Sequence, residues 1–324
     1  MKKYEEIHIW EFPPAKTFIC LEETFRINLF NKLFNVFGTQ QRLIKFINQK
    51  SIKYGIKRNY GTGHIYGWIK GKKFDRGKIK NINIPLWMLI EFSKLKGVAS
   101  LNKIESKIEA YGCGGKCNQI TEPKLPIILT PELVSVIFHL MGDGHIGKTG
   151  VCSSYRQMNK TGLMQFYTKL TNNFGNFKYS KAEFRDGRLN IPKTITNFYE
   201  TYFELSDTDT FKAYLPKNIK SLSRDFLIAG LCAFIVDEGN ICDVITIYSK
   251  NRKLIEDVRE IGIKCGYICY EIKEKYAYGK FDCYRFNISS KSYKDMYADI
   301  KRISKSFPTC DLAQKMRRFI EKIH

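Results

Sequence analysis

The chain has 324 residues and a formal charge of +22, from 54 Lys and Arg against 32 Asp and Glu, with 44% apolar and 27% charged residues. That composition excludes wholesale disorder and collagen-like architecture, and the length predicts two domains at roughly 150 residues each. So large a basic excess calls for a polyanion or a membrane surface, and the longest apolar run, 226–236, is too short to span a bilayer. Nucleic acid is therefore the leading partner. The opening MKKYEEIHIW carries acids where a signal peptide needs apolar residues, and ten cysteines are scattered without a secretory pattern. These features predict reduced thiols and a cytoplasmic location, nucleoid-associated in a prokaryote.

In chain order, apolar residues at Ile27, Leu29, Phe30, Leu33 and Phe34, then a Gly break, then Leu43, Ile44, Phe46 and Ile47, have helical spacing in two short segments. A third short helix is expected near 64–70 and a fourth over 86–96, introduced by Pro85. Between them, residues 50–80 hold ten Lys or Arg and one acid, Asp75, interleaved with Tyr54, Tyr60, Tyr66 and Trp68. This is the composition of a nucleic-acid face. Its candidate DNA contacts are Lys53, Lys57, Arg58, Trp68, Lys70, Lys72 and Lys73. Short helices around a Gly turn, followed by IYGWIKGKK, resemble the helix-turn-helix domains of phage-repressor type. A small helical DNA-binding domain is thus expected over 1–105, and a linker over 106–128, where glycines and prolines interrupt any regular pattern. Cys113 with Cys117 and Cys265 with Cys269 lack the usual zinc spacing and a nearby His, so they read as loop and core thiols.

Residues 129–324 contain a repeat. TPELVSVIFHLMGDGHI (130–146) and SRDFLIAGLCAFIVDEGNI (223–241) each open with a helix entry signal, run apolar, and end in an acid followed by Gly. Glycine there is expected to take the left-handed conformation that ends a helix. From each acid to the next helix-ending Gly, Gly175 or Gly266, is 32 or 28 residues, and from there to the Gly of an expected hairpin, Gly187 or Gly279, is 12 or 13. Arg185 and Arg188 flank the first of these turns, and Lys280 and Arg285 follow the second; all four are candidate DNA contacts.

An acid in the last turn of a helix faces the negative end of the macrodipole, an unfavourable place to put one twice. If the two apolar helices pack together, Asp143 and Glu238 meet at their ends and repel unless a cation lies between them. Hard oxygen donors suit Mg²⁺, and a metal-activated water in a basic groove would hydrolyse a phosphodiester.

With VIFHLMGDG and LCAFIVDEG in place, the chain resembles the LAGLIDADG homing endonucleases in their single-chain, two-motif form. The resemblance implies an α+β protein with two pseudo-symmetric αββαββα halves, about 129–220 and 221–324, acting as a monomer on double-stranded DNA with Mg²⁺. It places the metal-binding, catalytic acids at Asp143 and Glu238. The family often keeps a lysine near each metal site, and Lys217 and Lys315, 74 and 77 residues beyond the acids, are the candidates. The motif's third position, usually small, holds Phe138 and Ala233, and His139 reads as a core or interface histidine. A freestanding site-specific endonuclease is the preferred reading, rather than an intein-embedded one. A non-cleaving transcription regulator and an RNA maturase on the same fold remain alternatives.

Overall fold

The computed structural model describes residues 4–70, 72–73, 79–80, 83–114, 119–148, 152–205, 208 and 211–323. It is a mixed α+β structure in which every strand pairing is antiparallel. No described helix is long and apolar enough to cross a membrane.

The N-terminal part comprises β1 (Glu6–Ile7), β2 (Phe18–Leu21), α1 (Glu23–Phe37), α2 (Gln40–Lys53), α3 (Thr62–Lys70), β3 (Lys72–Lys73), β4 (Ile79–Lys80), β5 (Ile84–Pro85), α4 (Leu86–Ser93), α5 (Leu101–Glu105), β6 (Ile108–Gly112), β7 (Ile120–Thr121) and β8 (Ile127–Ile128). Gly38, at φ 72°, ends α1, and the Thr39 hydroxyl accepts from the Arg42 amide to start α2. The apolar faces of α1 to α4 meet around Phe30, Leu33, Leu43, Ile47, Trp87 and Phe92. The stretch 106–128 is not the irregular connector expected of it. β6 and β7 belong to a four-stranded sheet ordered β5-β2-β6-β7, and β8 pairs with β1. Its glycines and prolines lie around short strands, which need only a few extended residues between breakers.

The remainder comprises α6 (Pro131–Met141), β9 (Gly144–His145), β10 (Ser153–Arg156), α7 (Lys160–Phe174), α8 (Lys181–Arg185), β11 (Arg188–Ile191), α9 (Lys193–Tyr202), α10 (Lys217–Lys220), α11 (Arg224–Glu238), β12 (Gly239–Ile241), β13 (Ile245–Ser249), α12 (Arg252–Lys264), β14 (Lys273–Ala277), β15 (Lys280–Ile288), α13 (Tyr293–Ser304) and α14 (Met316–Glu321). The second copy runs αββαββα. The first is one strand short: FKYSKAEFRDG does not form the expected hairpin, because Ser180 caps α8, accepting from the Glu183 amide, and the Asp186-Gly187 turn leads from that helix into β11. The sheets are therefore ordered β11-β10-β9 and β12-β13-β15-β14.

Their registers correspond residue for residue. Tyr155 lies between Gly144 and Leu189, as Ile247 lies between Gly239 and Phe286. These positions are buried under the helices, except for the half-buried glycines. Alternate positions face the other way. They carry His145, Ser154, Arg156, Arg188 and Asn190 in the first sheet, and Asn240, Thr246, Tyr248, Arg285 and Asn287 in the second.

Candidate active site

All of α6 is buried, as is α11 from Phe226 to Val236; that stretch of α11 is apolar all round, whereas α6 also buries Glu132, Ser135 and His139. They pack directly on each other. Phe138, a large residue on the face of α6 that meets α11, finds its space at Gly230: a Cβ there would lie 2.2 Å from the Phe138 ring. One turn further on, a Cβ at Gly142 would lie 2.9 Å from Cβ of Asp237. The glycines after the two acids are also required by close approach and not by a left-handed backbone. Cβ atoms at Gly144 and Gly239 would fall 2.4 Å from Leu140 Cα and 2.6 Å from the Ile235 carbonyl oxygen, and Gly239 has φ −93°.

The crossing gathers three carboxylates, Asp143, Asp237 and Glu238. Burial pushes Asp143 up to about 7, with the charge of Asp237 adding to it and Lys315 opposing. Glu238 is likewise pushed up to about 7 by burial and then by Asp143 and Asp237. Burial takes fully enclosed Asp237 to about 8 against the hydrogen bond from Tyr155 and the charges of Lys169 and Lys315.

The three differ in their partners. Asp237 is held inside the protein: Tyr155 Oη donates to Oδ1 at 2.5 Å, and His139 Nδ1 lies 2.9 Å from Oδ2. On the other side of the imidazole, Lys169 Nζ is 2.9 Å from Nε2. Burial, then Lys169, depresses the pKa of His139 well below the ordinary range. A neutral ring with its proton on Nδ1 accepts from Lys169 and donates to Asp237, so Lys169, His139, Asp237 and Tyr155 form one buried chain across the helix interface. Among the described residues the Asp143 carboxylate, by contrast, receives only a long 3.4 Å contact from Gln157 Nε2. Glu238 accepts no side-chain hydrogen bond among the described residues.

Lys315 stands beside these acids. Its Nζ donates to the carbonyls of Ile235, at 2.7 Å, and Gly239, at 2.5 Å, placing a cation at the negative C-terminal end of α11. Burial lowers its pKa, and the three carboxylates oppose that shift. Lys217 is not brought to the acids. It is exposed on α10, which is tied to α12 by Lys220 at 2.9 Å from Asp257.

No described group of three or more His, Cys, Asp or Glu is arranged to hold a metal ion by itself. The pair Asp143 and Glu238 nevertheless fits a hard divalent cation that keeps water and takes phosphate oxygens as further ligands. Both are half-buried carboxylates with little internal donation and mutual repulsion for a cation to relieve.

The candidate DNA contacts divide. Trp68 is only 5% exposed and packs on Tyr60 and His64, so it is core, on the buried face of α3 with Ile65 and Gly67. The exposed face of α3 carries Thr62, Tyr66 and Lys70, one turn apart, with Lys70 Nζ over the Tyr66 ring at 5.2 Å. Lys53 lies 3.7 Å from the buried carboxylate of Glu91, which partly neutralises it. Lys57 is exposed, and Arg58 Nη2 lies 2.7 Å from His64 Nε2. The side chains of Lys72 and Lys73 lie outside the described residues, as does Cys117. Arg185, Lys280 and Arg285 are exposed, whereas Arg188 is half-buried.

Sequence reasoning misses Asp237, Tyr155, Lys169 and Gln157. The acidic doublet Asp237-Glu238 is a visible signal for the first. A lysine buried on an amphipathic helix leaves no local signal.

No protein-family model matches the chain, and no curated protein matches it. Among solved structures, mesophilic variants of the homing endonuclease I-DmoI are similar over 52% of this chain and 94% of theirs, at 19% identity and a TM-score of 0.36. The structure of I-DmoI in complex with DNA and Mn is similar over 52% of this chain and 96% of that one, at 19% identity and a TM-score of 0.35.

Proposed function

We propose that the chain is a site-specific double-strand DNA endonuclease of homing type, using Mg²⁺ to hydrolyse phosphodiester bonds. The observation that carries this reading is the meeting of Asp143 and Glu238 at the ends of two mutually buried helices. Two sheets of matching register flank those helices and turn polar and basic positions outward. The resemblance of the two helices to LAGLIDADG motifs supports the same reading. Asp143 and Glu238 would hold the cation. When bound, Mg²⁺ supplies charge stabilisation to the phosphate and lowers the pKa of a water. Lys315, within electrostatic reach of both acids, steadies negative charge that develops beside them, and Gln157 orients Asp143. Arg188 and Arg285 occupy equivalent register positions on the two outer faces, where each would meet DNA.

The two halves, about 129–220 and 221–324, form a pseudo-twofold monomer, so one chain serves both strands. Helices α2 and α3 add a helix-turn-helix-like element, with Tyr66 and Lys70 in place of Trp68 as its exposed aromatic and cation. The test is a supercoiled plasmid library incubated with Mg²⁺ or chelator and sequenced at its cut ends. Asp143→Asn and Glu238→Gln should each lower cutting by about a hundredfold or more while DNA binding persists, because a metal's Lewis acidity is worth several kcal/mol. If both variants cut like the parent, the assignment is wrong; binding without any cutting by the parent would mean a regulator.

A further inference from the structure

The hairpin of β14 and β15 turns on two residues, Tyr278 and Gly279, with φ of 51° and 73°. Two successive left-handed residues are the mirror-image hairpin turn, whose first position favours Asn, Asp or Gly. A tyrosine there costs backbone energy, since its Cβ crowds the following carbonyl. Packing does not offset the cost: Tyr278 is 104% exposed. Beneath the tip, Tyr276 and Phe281 face each other across the strands with ring centroids 6.2 Å apart, and Phe281 meets Tyr284 at 4.9 Å. The tip thus stands on an aromatic base. Lys280 follows the turn, and Lys275, on the preceding strand, lies over Tyr248 at 5.4 Å. Lys275 is also paired with Asp282 at 3.0 Å, which leaves Lys280 as the cation beside the tip. An exposed ring in a disfavoured backbone conformation on a chain of +22 matches a polyanion that offers π-faces.

We propose that Tyr278 is an aromatic contact to nucleobases, inserted at one flank of the bound duplex. This rests on the DNA-nuclease reading and adds to it a base-contacting residue outside the catalytic centre. The contact is one-sided because α8 occupies the corresponding place in the first half, so the opposite flank meets no such tip. Aromatic and apolar wedges that unstack base steps act this way in other DNA-binding proteins. A second copy of the chain is disfavoured as occupant by the repulsion between two chains of +22.

The experiment uses the full chain in Ca²⁺ with a duplex selected for binding from a random-sequence pool, carrying 2-aminopurine at successive positions. Fluorescence should rise on binding at one flank only. Tyr278→Asn should abolish that rise and weaken binding roughly tenfold, the scale of removing one base–aromatic stack, while Tyr278→Trp retains both. The Tm of Tyr278→Asn should equal or exceed the parent's, since Asn accepts the left-handed region, which separates an effect on stacking from an effect on folding. No rise at any position, or an unchanged rise and affinity in Tyr278→Asn, overturns the proposal. So does a protein dimer that the same substitution dissolves. If the parent selects no duplex, the nuclease reading itself falls, and this inference with it.

Discussion

Asp237 has both carboxylate oxygens engaged inside the protein, whereas Asp143 and Glu238 keep theirs largely open. All three are nevertheless sensitive to pH, because burial raises each of them. Their folded-state pKa values, about 7 for Asp143 and Glu238 and about 8 for Asp237, lie above the ordinary carboxylate range, so the folded state binds more protons than the unfolded one between about pH 4 and pH 8. Their protonated forms therefore add stability that is full below the unfolded pKa and is lost as pH rises through the folded one. Buried His139 opposes this below about pH 6.5, because only its unfolded form takes up a proton there. The clean window lies above that. Metal-free protein should lose Tm from about pH 6.5 to pH 8.5, and Mg²⁺ should restore it more at the upper end. Asp143→Asn should lessen the loss, leaving the part that belongs to Glu238 and Asp237. A thermal-unfolding series in chelator and in Mg²⁺ checks this, and a Tm rising across the window in parent and variant alike would refute it. Asp143 and Glu238 can be picked from the sequence because an acid at a helix end is locally conspicuous. Their neighbours Tyr155 and Lys169 cannot, because their partners lie 82 and 30 residues away.

Gly230 and Phe138 show how two helices cross closely around a large aromatic. The ring occupies the volume that a side chain at 230 would need, so Gly230→Ala must displace an aromatic on the opposite helix. Overpacking of this kind costs about 1–3 kcal/mol or more, and Phe138→Ala, which leaves a cavity, about 3–5. Combined, the two should be less damaging than their sum, since the added methyl fills part of the space vacated; a double-mutant cycle in denaturant measures the coupling. Strictly additive losses would mean that the helices do not meet at this pair. Periodicity places the helices themselves correctly, and the Tyr278-Gly279 hairpin is legible from alternation around a Gly. The hairpin expected at Asp186-Gly187 does not form, and the reason is present in SKAE, a serine followed three residues later by an acid. Local capping outweighs an alternating pattern too short to fix a strand.

The division into a small N-terminal domain, a linker and an endonuclease core rests on breakers and charge, and those features do not report which strands pair at long range. β6, from the supposed linker, pairs with β2 so that Ile19 faces Tyr111, and β8 pairs with β1. Phe12 lies 4.8 Å from Phe198, and Tyr4 meets both Phe226 and Phe307 edge-on. Removing residues 1–105 would uncover those rings and leave β6 with an open edge, a surface prone to aggregation. The shortened chain should therefore be poorly soluble or melt well below the parent. A role in DNA binding has to be tested by charge instead, with the fold kept whole. Lys57 and Lys70 are both exposed and outside any described ion pair, and the double variant gives up only the surface contact of Lys70 with the Tyr66 ring, so Lys57→Ser with Lys70→Ser should change Tm little. Every phosphate that goes unneutralised reduces the slope of log affinity against log salt by about 0.9, so the double variant should flatten it by up to about 1.8. The measurement is a titration of the same duplex by parent and variant across a range of salt concentrations. A slope that does not change, in a variant as stable as the parent, would mean that this basic helical face is merely solvated and that DNA is held by the two sheets alone.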